Sequence, residues 1–187
     1  TTMSTIHNIN GDLAAATAVL QPGDYIPVYV AADGVSKKMS GTLLGAGTGA
    51  VVSTTATTVS LSATVHGNKL LVINTNNSSG CAVTLPAATG TGVKYEILNG
   101  IAQTQGSITV VRASSDVMKG RAISLDSTAV ATHANIFVSL VATTITWNRT
   151  TQGGIGHDHI TLWDSAAGEW RVLVESNCSG ANATPFS

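Results

Sequence analysis

From Val51 onward, apolar and polar residues alternate in short runs, and turn chemistry closes each run. In Val93–Leu98 the alternation sets Val93, Tyr95 and Ile97 on one face and Lys94 and Glu96 on the other, the period of a half-buried strand. The same pattern predicts strands near Thr57–Ala63, Leu70–Asn74, Ala82–Leu85, Val93–Leu98, Ser107–Arg112, Arg121–Leu125, Asn135–Val141, Thr143–Asn148, His159–Trp163 and Trp170–Val174. The separators are Asn76-Asn77-Ser78-Ser79-Gly80, Gly90-Thr91-Gly92, Gln152-Gly153-Gly154 and Asp164-Ser165-Ala166-Ala167-Gly168. Val83–Leu98 condenses this grammar into strand, stop, turn and strand. Pro86 has no N–H for a ladder, and Gly90 and Gly92 supply the positive φ of a tight return, as in a hairpin. Short strands at about 8–12-residue spacing with no helix between them predict a mainly β domain, an antiparallel β-sandwich or barrel of jelly-roll type. A parallel β-helix competes, but it calls for a fixed repeat, and no self-similar period is present.

The first 50 residues are patterned differently. Asn10 or Asp12 is placed to cap a short helix over Leu13–Leu20, which Pro22 and Gly23 end. Tyr25–Val30 reads as a strand, with Pro27 marking an edge, and Asp33-Gly34 turns it into a return strand over Val35–Leu44. Gly45-Ala46-Gly47-Thr48-Gly49 reads as a joint. The expected organisation is a helix-plus-hairpin N-terminal unit, 1–50, and a β domain, 51–187, with Asn182–Ser187 as an extended tail.

Composition narrows the function. Charged residues make up 10% of the 187, well below the usual share of about 25%, and small or hydroxylated residues fill the gap. Net charge is −1 with Lys and Arg scattered singly, which lacks the basic footprint of nucleic-acid binding. No apolar run approaches the roughly 20 residues of a membrane span, and no signal peptide is read. Cys81 and Cys178 sit in no CxxC or Cys/His spacing, so zinc is not expected. A disulfide requires their two turns to meet, and reduced thiols are favoured without a secretion signal. The Asn-X-Ser/Thr sites at Asn76, Asn77, Asn148, Asn177 and Asn182 read as turn residues.

Candidate chemistry is sparse. His157-Asp158-His159 has a metal-ligand spacing if both imidazoles share a strand face, but no third ligand lies nearby, so surface histidines are the favoured reading. Asp158, Asp164 and Glu169 can be nominated as the carboxylate pair of a sugar hydrolase. Asp164 and Gly168 instead bracket a hairpin, which favours a structural role. The serines lack a nucleophile elbow, and Gly45–Gly49 and Gly153-Gly154-Ile155-Gly156 match no phosphate-binding fingerprint. Trp147, Trp163 and Trp170 suggest a glycan platform if exposed, and core packing otherwise. No catalytic, cofactor-binding or metal-ligating residue is assigned, and no enzyme activity is expected.

From about His66 to Ser187 the chain resembles a class of tailed-bacteriophage structural proteins. The segments that carry the resemblance begin with His66-Gly67-Asn68-Lys69 and Thr84-Leu85-Pro86-Ala87-Ala88-Thr89-Gly90-Thr91-Gly92 with Tyr95. They continue with Asp116-Val117-Met118-Lys119-Gly120 and Thr151-Gln152-Gly153-Gly154 with Asp158, Ile160 and Leu162. Asp164…Gly168-Glu169-Trp170 and Ala183-Thr184-Pro185-Phe186-Ser187 complete them. His157 and His159 depart from the small or apolar neighbours usual around Asp158. Separately, Asp24-Tyr25-Ile26-Pro27-Val28-Tyr29…Asp33-Gly34…Lys37-Lys38 is similar to a short segment of phage fibre and collar proteins. The resemblance implies a virion protein, commonly trimeric: a capsid decoration (cement) protein on the outside of the head, bridging major capsid protein subunits. The alternative it implies is a fibre or tail-associated protein that binds a receptor or host glycan.

Overall fold

The computed structural model describes residues 25–30, 35–40, 50–126 and 133–187. The chain divides into two units, Thr1–Thr48 and Gly49–Ser187. In the first, β1 (Tyr25–Val30) and β2 (Val35–Ser40) pair antiparallel, from Tyr25↔Ser40 to Val30↔Val35. The helix expected over Leu13–Leu20, the Asp33-Gly34 turn and the 45–49 joint lie outside the described residues.

The second unit is built of strands joined by loops, with one helical turn among the described residues. Its elements are β3 (Val51–Thr54), β4 (Thr58–Ser60), α1 (Ala63–His66), β5 (Leu70–Ile73), β6 (Cys81–Thr84) and β7 (Lys94–Asn99). There follow β8 (Ile108–Val111), β9 (Val117–Asp126), β10 (His133–Ala142), β11 (Thr144–Trp147), β12 (His159–Ala166) and β13 (Glu169–Cys178). Two open sheets result: a seven-stranded sheet of order β10-β9-β13-β12-β7-β5-β3 and a four-stranded sheet of order β11-β8-β6-β4. The protein is mainly β, as the alternation predicts.

The sheets are mixed rather than antiparallel. β3, β5 and β7 stack in parallel in the larger sheet, and β4, β6 and β8 do so in the smaller. From β3 to β8 the chain therefore crosses between sheets at every step, which is the parallel stacking a β-helix uses. A strand followed by a turn fits a crossover to the other sheet as well as a hairpin, so alternation alone did not separate them. No repeat betrays the winding because its steps differ in length: Val51 stacks on Leu70, and Leu70 on Glu96. Val83–Leu98 is one of these crossovers. β6 and β7 belong to different sheets, so Pro86–Gly92 is not a hairpin turn.

Antiparallel pairing dominates later. β9 pairs with β10 and β12 with β13, while β12 also pairs with β7 and so joins the late strands to the wound ones. β13 then runs parallel to β9 along its whole length, Glu169↔Val117 to Cys178↔Asp126. β9 starts before the expected Arg121 because Gly120 is an interior strand residue. A Cβ there would lie 1.8 Å from the Val172 carbonyl oxygen, so only glycine lets β9 and β13 approach this closely. The strand expected over Thr57–Ala63 is cut short at Ser60, where Ser62 caps α1 by accepting from the Val65 N–H, and His66 Nδ1 accepts from the Ser62 N–H.

One core joins the inner faces: Leu71, Ile73 and Ile97 from the larger sheet with Val83, Ile108 and Val110 from the smaller. The expected C-terminal tail is docked along β11. The Ser187 carbonyl accepts from Thr143 and Thr144, the Pro185 carbonyl accepts from Thr146, and Phe186 packs on the core.

Candidate functional site

Three of the sequence segments behind the resemblance meet in one place. The loop Ala88–Thr91 lies against the end of β12 and the start of β9. The Ala88 N–H donates to Asp116 Oδ2 at 2.7 Å, and the Ala88 carbonyl accepts from the Gly168 N–H at 3.0 Å. Thr89 bridges to Ala167, and the Val117 N–H reaches the Gly168 carbonyl at 2.9 Å.

At the centre sits Asp164, buried near the end of β12. Its Oδ1 accepts from the backbone of Thr89 (2.9 Å) and Gly90 (2.7 Å). Its Oδ2 accepts from the Thr91 N–H (3.0 Å), the Thr91 hydroxyl (2.6 Å) and the Thr89 hydroxyl (3.2 Å). Gly90, at φ +77°, takes the left-handed conformation that turns these N–H groups toward one carboxylate. Burial alone would raise the Asp164 pKa. The hydrogen bonds from Thr91, Gly90 and Thr89 outweigh it and lower the value from 3.8 to about 2. A carboxylate so fully engaged is neither a proton donor near neutrality nor open to a ligand.

Asp158, just before β12, ties down a second loop. Its carboxylate accepts from the Asn177 N–H at 2.6 Å and from the Gly154 N–H. Here burial dominates and lifts the pKa from 3.8 to about 6, although Asn177, Gly154, Asn99 and Gly156 pull it back. The two aspartates lie at opposite ends of β12, about 20 Å apart at ~3.3 Å per residue, whereas a hydrolytic carboxylate pair stands about 5–9.5 Å apart. Glu169 is bound to Lys119. The nominated acids do not assemble into one site.

His157 and His159 do not share a strand face. His157 sits before β12 at φ +60° and is exposed, while His159 lies within β12, its Nδ1 3.6 Å from Glu175 and its Nε2 4.0 Å from Glu96. Among the described residues no three His, Cys, Asp or Glu side chains gather to hold a metal ion, and no helix is long and apolar enough to cross a membrane. Cys81 and Cys178 are buried and not joined to each other, and burial raises both thiol pKa values. Trp147 and Trp170 are core residues, Trp170 tilted against Tyr95 with ring centroids 5.7 Å apart. Only Trp163 reaches the outer face of the larger sheet, where it is half-buried.

Sequence reasoning placed the β10 strand at Asn135–Val141 but missed its exposure. It is the edge strand of the larger sheet, and Ile136 (66%), Val138 (72%), Leu140 (67%) and Val141 (72%) remain exposed. The signal was present in Ala134–Ala142, a strand without Asp, Glu, Lys, Arg or Pro and apolar on both faces rather than alternating. Beside it an open groove of about 610 Å³ is lined by Lys119, Arg121, Val138, Leu140, Trp163 and Arg171, among others. Exposed, uncharged edge strands promote association with other chains. The molecule is thus a β-rich scaffold that fastens its loops with buried carboxylates and displays an apolar rim. No protein-family model, curated protein or solved structure matches the chain.

Proposed function

We propose that this chain is a capsid decoration (cement) protein of a tailed bacteriophage. In this reading it is a virion component, homotrimeric and without enzymatic activity. It binds the outside of the head and stabilises contacts between major capsid protein subunits. The two open sheets act as the layers of a sandwich over their common core, and the N-terminal unit is the arm that reaches neighbouring subunits. The observation that carries the reading is the exposed apolar rim of β10, a surface for association on a body whose buried aspartates are engaged in holding loops. The sequence resemblance over His66–Ser187 supports it independently. Many copies acting together need only modest contact area each. The test is electron cryo-microscopy of heads incubated with the purified chain. Copies repeating over the outer lattice are expected, and density confined to one vertex or the tail, or no binding, contradicts the reading.

A second reading, a fibre or tail-associated receptor-binding protein, is favoured by Trp163. It lies in the open groove with Arg121 and Arg171, an arrangement suited to stacking on a sugar. Glycan-array binding that Trp163→Ala abolishes without loss of folding would select this second reading.

A further inference from the structure

We infer that the groove on the outer face of the larger sheet binds an acidic saccharide, its pyranose ring on Trp163 and its carboxylate held by Arg171 and Arg121. The inference rests on the second, receptor-binding reading and deepens it by giving the ligand its charge. Strand register brings together residues that lie scattered in the sequence. Lys119, Arg171 and Trp163 are successive Cα partners across β9, β13 and β12, so they form one row on one face. Arg121 lies two positions beyond Lys119 on that face, opposite Leu173 and Val138. Three of the chain's nine lysines and arginines thus line one open groove of about 610 Å³, within the roughly 300–1,000 Å³ of small-ligand sites.

The charges in the groove do not balance. Glu169 is paired with Lys119. The guanidinium groups of Arg121 and Arg171 are exposed and have no ion pair or hydrogen bond among the described residues. A carboxylate answers them, because a guanidinium donates two parallel N–H bonds to its two oxygens. The half-buried indole of Trp163 beside Arg171, with Leu173 and Val138, suits the C–H face of a sugar ring. A neutral saccharide would use the indole and leave both cations uncompensated. An acidic peptide would use the cations, but β9, β13 and β12 are interior strands with no free edge for its backbone.

The test is an array of oligogalacturonate and oligosialate beside their methyl esters, which keep the rings and lose the charge, with neutral glycans and tetraglutamate for comparison. The full chain is expected to bind the acidic saccharides, and Arg121→Gln or Arg171→Gln should each weaken that binding by about tenfold or more. Both arginines are exposed, so far-UV circular dichroism and the melting curve should match wild type. Trp147 and Trp170 are buried, so acrylamide quenching of tryptophan fluorescence reports on Trp163, and bound saccharide should protect it. Equal binding of the methyl esters, equal binding of tetraglutamate, or undiminished binding by both arginine variants overturns the inference. Binding of neutral glycans alone, dependent on Trp163, refutes the charge assignment and leaves the receptor-binding reading standing, whereas binding of no glycan refutes both.

Discussion

β12 carries a buried aspartate at each end, and the two behave in opposite ways. Asp164 takes five hydrogen bonds from one short loop and is driven down to about 2. Asp158 has the same side chain but lies deeper among protein atoms, and despite hydrogen bonds of its own it is driven up to about 6. The burial penalty outweighs the hydrogen bonds at Asp158 and falls short of them at Asp164, so the balance of the two decides the sign. One end of the strand is a lock that holds best when charged. The other holds a charge at a cost.

The largest way to break this contrast is Asp164→Ala. It orphans the N–H groups of Thr89, Gly90 and Thr91 together, and urea denaturation should show a loss on the order of 4 kcal/mol. Asp158 sharpens it through pH. Its folded value lies above its unfolded value of 3.8, so its contribution is fully present below about pH 3.8 and is lost as pH rises through about 6, a change of about 3 kcal/mol. Asp158→Asn should flatten that slope in stability measured from pH 4 to 7. Asp164 works in the other direction and in another window. Its contribution is present above 3.8 and lost as pH falls through about 2.

The supporting glycines should differ too. Gly153→Ala places a Cβ 2.5 Å from Trp147 Cδ1 at φ +100°, and a loss of about 2–3 kcal/mol is expected from melting curves. Thr91→Val removes the 2.6 Å hydroxyl bond to Asp164 together with a long 3.4 Å bond from the Val93 N–H, for about 1.5 kcal/mol by denaturant midpoint. Gly90→Ala meets nothing closer than Ala166 Cα at 3.3 Å, so its positive φ should account for a loss of about 1 kcal/mol in the same assay.

Strand positions were legible because alternation is local: β5, β6, β7 and β11 fall within a residue or two of their expected bounds. The sheet each strand joins was not legible. Pro86 and the Gly90/Gly92 pair end a strand and turn the chain, but nothing in them says whether the next strand pairs with the last or crosses over. The role of Asp164 was hidden for a related reason. Its loop partners are 73 to 75 positions away, so Asp164 read as a hairpin residue and Thr-Gly-Thr as a turn, with no local sign that the two meet. β10 shows the converse case. Its apolar character was plain in the sequence, but its exposure follows from the pairing order that makes it an edge.

The most direct test of the carboxylate contrast is a carbon-13 NMR titration of the aspartate side-chain carboxyls in the folded protein. The Asp164 carboxyl is expected to titrate near 2 and the Asp158 carboxyl near 6. An Asp164 carboxyl that titrates at or above the ordinary 3.8 would contradict the lock, and an Asp158 carboxyl at or below it would contradict the cost.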